Sequence, residues 1–491
     1  MLLKTTRTLC PACGKVIPAE IVEEEGKVYL ERTCPEHGHF HDIYWSDAAL
    51  YRRFDEFESV GGGLENPHRE APADGCPNYC GVCTNHRSGT LLANIDLTNR
   101  CNLNCDFCFV NAQACGYVYE PSFEQVVDML TLLRNEKPVP TPAVQFSGGE
   151  PTLREDLIDI ILKAKELGFK QVQIATNGVK IAKSREYAES LKNAGLNTVY
   201  LHFDGVTEDT DPQIVRHRKA VEVLDSVHMG VVLVPTIIRG RNDHQVGDII
   251  RFAVEHISVI RGVNFQPVAF TGAASDDDVR NARITIPELL ERIESQTQGA
   301  ILKDDFYPVP CVVPVSDLVE AYTGKPQIRF TAHQHCGAAT YVFVSEKGMV
   351  PINRMVDVDK FFAAVNKMAE NLRKGGQINK YRSLLEGVNS LRTSVKKGDD
   401  VEGGPKIWKA LAGALLFQNY DALREFHWNS LFIGTMHFMD RHNYDLSRVQ
   451  RCCIHYATPD GRVIPFCTYN SGPVYRDQVW RKHSRPLRKG D

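Results

Sequence analysis

Leu91-Leu-Ala-Asn-Ile-Asp-Leu-Thr98 runs directly into Asn99-Arg-Cys101-Asn-Leu-Asn-Cys105-Asp-Phe-Cys108, a short apolar segment ending in a cysteine-rich loop. The first part has the length and aliphatic make-up of a buried strand. The second carries three thiols at C-x3-C-x2-C spacing, which suits an iron–sulfur cluster. A cubane has four irons, so three thiolates on one loop leave the fourth iron open to an exogenous ligand. A structural zinc knuckle would close with a fourth Cys or His, and this loop supplies none.

The same strand-then-loop event recurs downstream. Apolar runs at Val144–Gly149, Gln171–Gly178, Thr198–Gly205, Val231–Ile238 and Gly262–Ala269 each end in polar or glycine-rich residues. They recur about every thirty residues, the length of a strand, a helix and two turns. Between them, Leu157, Ile160, Ile161, Ala164 and Leu167 fall at helical spacing, and Asn193-Ala-Gly195 reads as a helix stop. The fold class predicted is α/β, a parallel (β/α)6 partial barrel over residues 91–280. In such sheets reactive groups gather at the carboxyl ends of strands, where the cysteine loop stands.

Residues 1–60 read as a separate metal-binding unit and 61–90 as a linker with its own cysteine group. Residues 281–491 read as a C-terminal substrate and auxiliary-cluster region, with helical stretches at Lys360–Leu385 and Trp408–Trp428. The basic tail Arg481–Lys489 reads as a solvated terminus or as a patch for phosphate or lipid headgroups.

The chain has 491 residues, a net charge of −4 and 15 cysteines. Near-balanced charge gives no reason to expect nucleic acid. Neither a secretion signal nor a membrane span is visible, so a cytoplasmic location is expected, with peripheral contact at the inner membrane face as an option. In that reducing compartment an odd number of cysteines in CxxC-like groups points to metal rather than disulfides.

Ser147-Gly-Gly-Glu-Pro-Thr152 stands one unit after the cysteine loop. The two together resemble the radical S-adenosylmethionine (SAM) enzymes. The resemblance implies that Cys101, Cys105 and Cys108 hold a [4Fe-4S] cluster whose open iron takes SAM. It also implies an electron from a reductant such as ferredoxin or flavodoxin, and a 5′-deoxyadenosyl radical that abstracts hydrogen. Ser147, Gly148, Gly149 and Glu150 then seat the methionyl end, glycine allowing close backbone approach. Thr176 and Asn177 are candidates beside the ribose and carboxylate, or plain turn residues. Phe109 is a candidate near adenine. His202, Asp204, Thr236, Arg239, Asn264 and Gln266 project from further strand ends toward the same mouth; His202 and Asp204 are taken as cofactor contacts, although barrel-end hydrogen bonding is an equally simple role.

The remaining cysteines form further groups. Cys10-Pro-Ala-Cys13 and Cys34-Pro-Glu-His37 are two knuckles at near zinc-ribbon spacing, with His37 or a distant cysteine as fourth ligand. Zinc and a single rubredoxin-like iron suit those thiolates equally. Cys76, Cys80 and Cys83 repeat the C-x3-C-x2-C spacing ahead of the first strand and read as an auxiliary cluster. Cys311, Cys336, Cys452, Cys453 and Cys467 are its candidate partners or a further site, with Cys467 on a hairpin turned by Pro459-Asp-Gly461.

A narrower resemblance spans nearly the whole chain. Thr6-Arg-Thr-Leu9 with Cys10-Pro-Ala-Cys-Gly-Lys15, Cys34-Pro-Glu-His-Gly38, Gly230-Val-Val-Leu-Val-Pro235, Gly262-Val-Asn-Phe-Gln-Pro267, Tyr307-Pro-Val-Pro-Cys311, His335-Cys-Gly-Ala-Ala-Thr-Tyr341 and Pro465-Phe-Cys467 are similar to the archaeal tetraether lipid synthases. Members of that group have been placed with proposed class D radical SAM methyltransferases of the pterin pathway. The first expectation is therefore an archaeal ether lipid substrate whose terminal methyl carbons are joined. The alternative is C-methylation of a pterin. Lipid coupling predicts a long apolar groove, and pterin methylation a polar pocket with hydrogen-bonding groups.

Overall fold

The computed structural model describes residues 1–105, 108, 116–271, 279, 281–345, 348–374, 393–396, 430–472 and 475–487. The chain opens with a four-stranded antiparallel sheet, Leu2–Leu9, Val16–Glu24, Lys27–Cys34 and Gly38–Trp45, paired in sequence order. Alternation sets its two faces. Val28, Leu30 and Cys34 point inward and are buried, while Thr33 and Lys27 face out. Asp47 caps the helix Ala48–Asp55 through the Leu50 amide (2.9 Å), and that helix turns Tyr51 and Phe54 onto Trp45.

This sheet is docked on the rest of the chain by hydrogen bonds. Thr6 Oγ1 donates to Asp445 (2.6 Å), Tyr44 Oη to the other Asp445 oxygen (3.0 Å), and Ser46 meets Thr285 at 2.7 Å. Residues 61–75 form neither helix nor strand, and Arg69 makes an isolated bridge to Cys83.

The central sheet follows the predicted rhythm. Leu92–Thr98, Ala143–Gly148, Gln171–Thr176, Thr198–His202, Gly230–Val234 and Ile260–Pro267 pair in parallel in that order. The helix Leu157–Glu166 buries Leu157, Ile160, Ile161 and Ala164, and the helix Arg185–Asn193 ends at the expected stop. One feature was not foreseen. Ser430–Met436 adds in parallel beside Ile260–Pro267, and Ile454–Ala457 adds in parallel beside Leu92–Thr98. The C-terminal region thus extends the barrel at both of its edges.

Beyond those edges the pairing turns antiparallel, with Gly337–Ser345 on Ser430–Met436 and Val463–Pro465 on Ile454–Ala457. The Pro459-Asp-Gly461 hairpin is present. Cys467 lies just past it, on the helix Phe466–Ser471 rather than on a strand. Of the two long helical stretches expected, Lys360–Leu385 is helical as far as Lys374, in the helix Val358–Lys374, while 375–385 and 408–428 lie outside the described residues. Among the described residues no helix is long and apolar enough to cross a membrane.

The barrel interior is polar. On the first strand Ala93, Ile95 and Leu97 alternate with Asn94, Asp96 and Thr98, and all six are buried. The polar set continues across the sheet: Gln145 Nε2 donates to Asn94 Oδ1, and Gln173 Nε2 to Gln145 Oε1, both at 2.9 Å. One turn nearer the carboxyl ends, Ser147 Oγ donates to Asp96 (3.0 Å). Buried amides and carboxylates require such partners, so the ladder fixes strand register as well as filling the lumen.

Candidate functional site

The cysteine loop leaves the first strand where Asn99 anchors it. Its amide donates to the Tyr119 carbonyl, its Nδ2 to the Tyr117 carbonyl, and its Oδ1 accepts from the Tyr119 amide, each at 2.9 Å. Arg100 then forms two hydrogen bonds with one Glu120 oxygen (3.0 and 2.8 Å). Cys101 and Cys108 are partly exposed and Cys105 is exposed. Phe109 lies outside the described residues.

The glycines of the second strand end have a specific task. The Gly149 amide donates to the Thr98 carbonyl (2.7 Å) and the Glu150 amide to the Arg100 carbonyl (2.8 Å). Gly148 has φ +123°, and a Cβ there would collide with the Thr98 carbonyl oxygen; one on Gly149 would collide with that of Arg100. The close approach that demands glycine is therefore to the backbone of the cysteine loop itself.

Glu150 is fully buried, and both carboxylate oxygens are used within the chain. One accepts from the Thr152 amide (3.0 Å), Thr152 Oγ1 (2.6 Å) and Thr176 Oγ1 (2.7 Å); the other accepts from the Asn177 amide (2.8 Å). Burial raises its pKa despite these bonds. Glu150 so ties the second and third strand ends together. Asn177 Nδ2 donates to Asn102 Oδ1 (2.8 Å) and approaches Cys101 Sγ at 4.0 Å, bringing the third strand end to the cysteine loop.

His202 and Asp204 follow the fourth strand and form an ion pair at 3.1 Å. Burial alone would lower the His202 pKa, but the Asp204 carboxylate outweighs it and holds the imidazole up at about 9. Asp204 is fixed in turn by the Thr236 amide (2.8 Å).

The loop suits a cationic cluster. Burial, Glu150 and Cys108 all raise the Cys101 pKa, so a bare thiolate is disfavoured there and an iron centre would reverse that balance.

One further thiol group is assembled as a compact donor set, and a second is gathered more loosely in the core. In the N-terminal sheet the donor atoms of Cys10, Cys13, Cys34 and His37 lie within 4.8 Å of one another, so His37, not a distant cysteine, completes the set. That compactness fits one tetrahedral ion. The second group is buried where the linker meets the C-terminal region. Cys76, Cys80 and Cys467 share one apolar cluster with Tyr444 and Tyr469. Cys80 is held protonated by its hydrogen bond with Cys76 and by burial. Cys467, pushed up to about 12 chiefly by burial, also feels Cys336, as do Cys452 and Cys453.

Arg448 identifies the charge expected at this second group. It is 2% exposed, yet its Nε donates to Cys336 Sγ (3.3 Å) and its Nη2 to the His437 carbonyl (2.7 Å). Among the described residues it has no carboxylate partner. A buried guanidinium needs an anion, and thiolates gathered on a metal provide one. Nothing in the sequence singles out this arginine. Cys311 stands apart: burial and then Asp359 raise its thiol to about 12, and among the described residues no other cysteine acts on its charge.

Comparison with known proteins agrees with this geometry. Residues 95–253 match the radical SAM superfamily and residues 2–46 match the HMPTM N-terminal zinc ribbon domain. The 7,8-dihydro-6-hydroxymethylpterin dimethyltransferase of Methanocaldococcus jannaschii is 48% identical over 499 aligned residues, covering 99% of this chain and 96% of that protein. The chain belongs to that family of radical SAM enzymes. As such an enzyme it uses a [4Fe-4S] cluster, SAM and a reductant, and it carries additional metal sites. A GTP 3′,8-cyclase of Limosilactobacillus fermentum is 31% identical over 187 residues, 35% of this chain and 54% of the cyclase. Among solved structures, methylornithine synthase matches 37% of this chain and 54% of its own at 15% identity, with a TM-score of 0.29. The full-length relative carries the name of the alternative expectation, pterin methylation, rather than that of the first, ether-lipid coupling.

Proposed function

We propose that this radical SAM enzyme abstracts hydrogen from a carbon of a pterin-like substrate and that a one-carbon co-substrate supplies the methyl carbon that takes its place. The observation that carries the reading is the match to the pterin dimethyltransferase along the whole chain, metal-binding regions included. The polar lumen supports it. Asn94, Gln145 and Gln173 line the barrel with amides, and Asp96 adds a buried carboxylate that accepts from Ser147 on one oxygen and lies 3.7 Å from the Arg476 guanidinium on the other. Such groups match ring nitrogens and exocyclic amines better than alkyl chains.

In this reading Cys101, Cys105 and Cys108 hold the cluster, which when bound supplies the electron that cleaves SAM. Gly148 and Gly149 let the second strand end close on the cysteine loop. Glu150 positions Thr176 and Asn177, which with Ser147, His202 and Asp204 surround the SAM position. Cys10, Cys13, Cys34 and His37 hold zinc or a single iron. Cys76, Cys80, Cys83, Cys336, Cys452, Cys453 and Cys467 are the ligand pool for the auxiliary iron–sulfur metal, no more than four of them on one cubane, with Arg448 as counter-cation; Cys311 is left out of that pool.

The tetraether reading shares every step up to the carbon-centred radical, and the motif blocks quoted above favour it as the second possibility. One experiment separates the two. The protein is expressed in a host making diether lipids and supplied with 7,8-dihydro-6-hydroxymethylpterin, and both pterins and lipids are analysed by mass spectrometry. Methylated pterin with unchanged lipids is the expected result. Lipids lighter by paired hydrogens, with unmethylated pterin, would replace this reading by the second.

A further inference from the structure

We propose that Glu31, His39 and His41 form a second divalent-metal site, suited to zinc, on the outer face of the N-terminal sheet and separate from the Cys10–His37 site. Their donor atoms lie within 4.8 Å of one another. The strand register puts them there: Glu31 is paired with His41 and Thr33 with His39, so side chains two apart on each strand share the solvent face. Cys34 and Leu30 point to the opposite, buried face.

The His39 imidazole is already oriented for a ligand role, whereas His41 presents its Nε2 to Glu24 beside the site. His39 Nε2 lies 3.4 Å from the Glu31 carboxylate, and His41 Nε2 lies 3.6 Å from Glu24. Behind them, the Thr33 hydroxyl is 3.3 Å from His39 Nδ1, and the Tyr29 ring stacks on His41 with centroids 4.3 Å apart. A hydrogen-bonded Nδ1 that leaves Nε2 for the ion is the usual arrangement behind a ligating histidine.

Charge points the same way. Glu20 stands directly opposite Glu31 on the neighbouring strand, and like charges so placed destabilise a sheet unless a cation lies between them. Two imidazoles and a carboxylate are borderline donors that suit zinc and other late divalent ions, with at least one position open to water.

The test uses the full chain, purified anaerobically with its ribbon ion in place and dialysed against low-micromolar zinc. Wild type is expected to take up one zinc more than the His39→Ala/His41→Ala double variant, and Thr33→Val to bind that ion about tenfold more weakly. With cobalt in place of zinc, wild type should likewise take up one ion more than the double variant, while unchanged retention of the Cys10–His37 ion, counted by metal analysis before the addition, reports a folded ribbon in every variant. Equal zinc uptake by wild type and the double variant would overturn the site.

Discussion

The cysteine loop at the barrel mouth and the cysteines beneath the C-terminal region use the same ligand in opposite surroundings. Cys105 is exposed and Cys101 and Cys108 are partly so, on a loop clamped by backbone contacts from Gly149 and Glu150. Cys80, Cys453 and Cys467 are buried, and the nearby charge is a buried arginine. A cluster that must admit a substrate needs an open side and a rigid backbone frame. A cluster that stays closed needs charge compensation where water cannot supply it.

The largest effect that would break this contrast is at Cys105. Cys105→Ala should abolish 5′-deoxyadenosine formation while total metal falls only by the iron of one cluster, read by product analysis alongside iron and zinc determination. Undiminished SAM cleavage would show that the exposed loop is not the reactive centre. Arg448→Met should do the converse. It strips the buried counter-cation, destabilising the fold by about 3–5 kcal/mol through the unpaired anion left behind. It should also lower auxiliary iron while SAM still perturbs the electron paramagnetic resonance of the remaining cluster. Full retention of iron and stability would mean that the second group is not anionic.

A finer test concerns the frame. Gly149→Ala forces the second strand end off the Arg100 carbonyl, and SAM cleavage should drop at least about a hundredfold, as for other misplaced reacting groups. The Asn94–Gln145 ladder lies away from that clash, so circular dichroism should change little. The smallest effect is expected at His202. Its pKa is raised to about 9 in the fold, against an ordinary value near 6.5, so its ion pair adds stability that is complete below pH ~6.5 and fades as pH rises through about 9. His202→Gln should flatten the stability profile in that window, measured by denaturant unfolding. A profile that keeps its slope would remove the imidazolium from the mouth.

Much of the molecule was legible from residues alone. The six parallel strands, the buried face of Leu157–Glu166 and the place of the cysteine loop follow from period and composition. Local pattern reports them because each element carries its own signal. Ser430–Met436 and Ile454–Ala457 escaped notice because they are short apolar runs outside the β/α rhythm. The hairpin through Pro459-Asp-Gly461 was legible, but a turn marks where the chain reverses and not where the second strand stops, so the helix that carries Cys467 was not.

By itself the sequence determined the chemistry: three cysteines at cluster spacing, a Gly-Gly-Glu turn one unit later, and paired knuckles near the N-terminus. It did so because each of those motifs lies within its own short stretch of chain. Tertiary structure decided the rest. It chose His37 as fourth donor, set Gly148 and Gly149 against Thr98 and Arg100, and brought Arg448 to Cys336. Each of these joins residues distant in the chain, or selects between local options by packing that no short stretch of sequence contains.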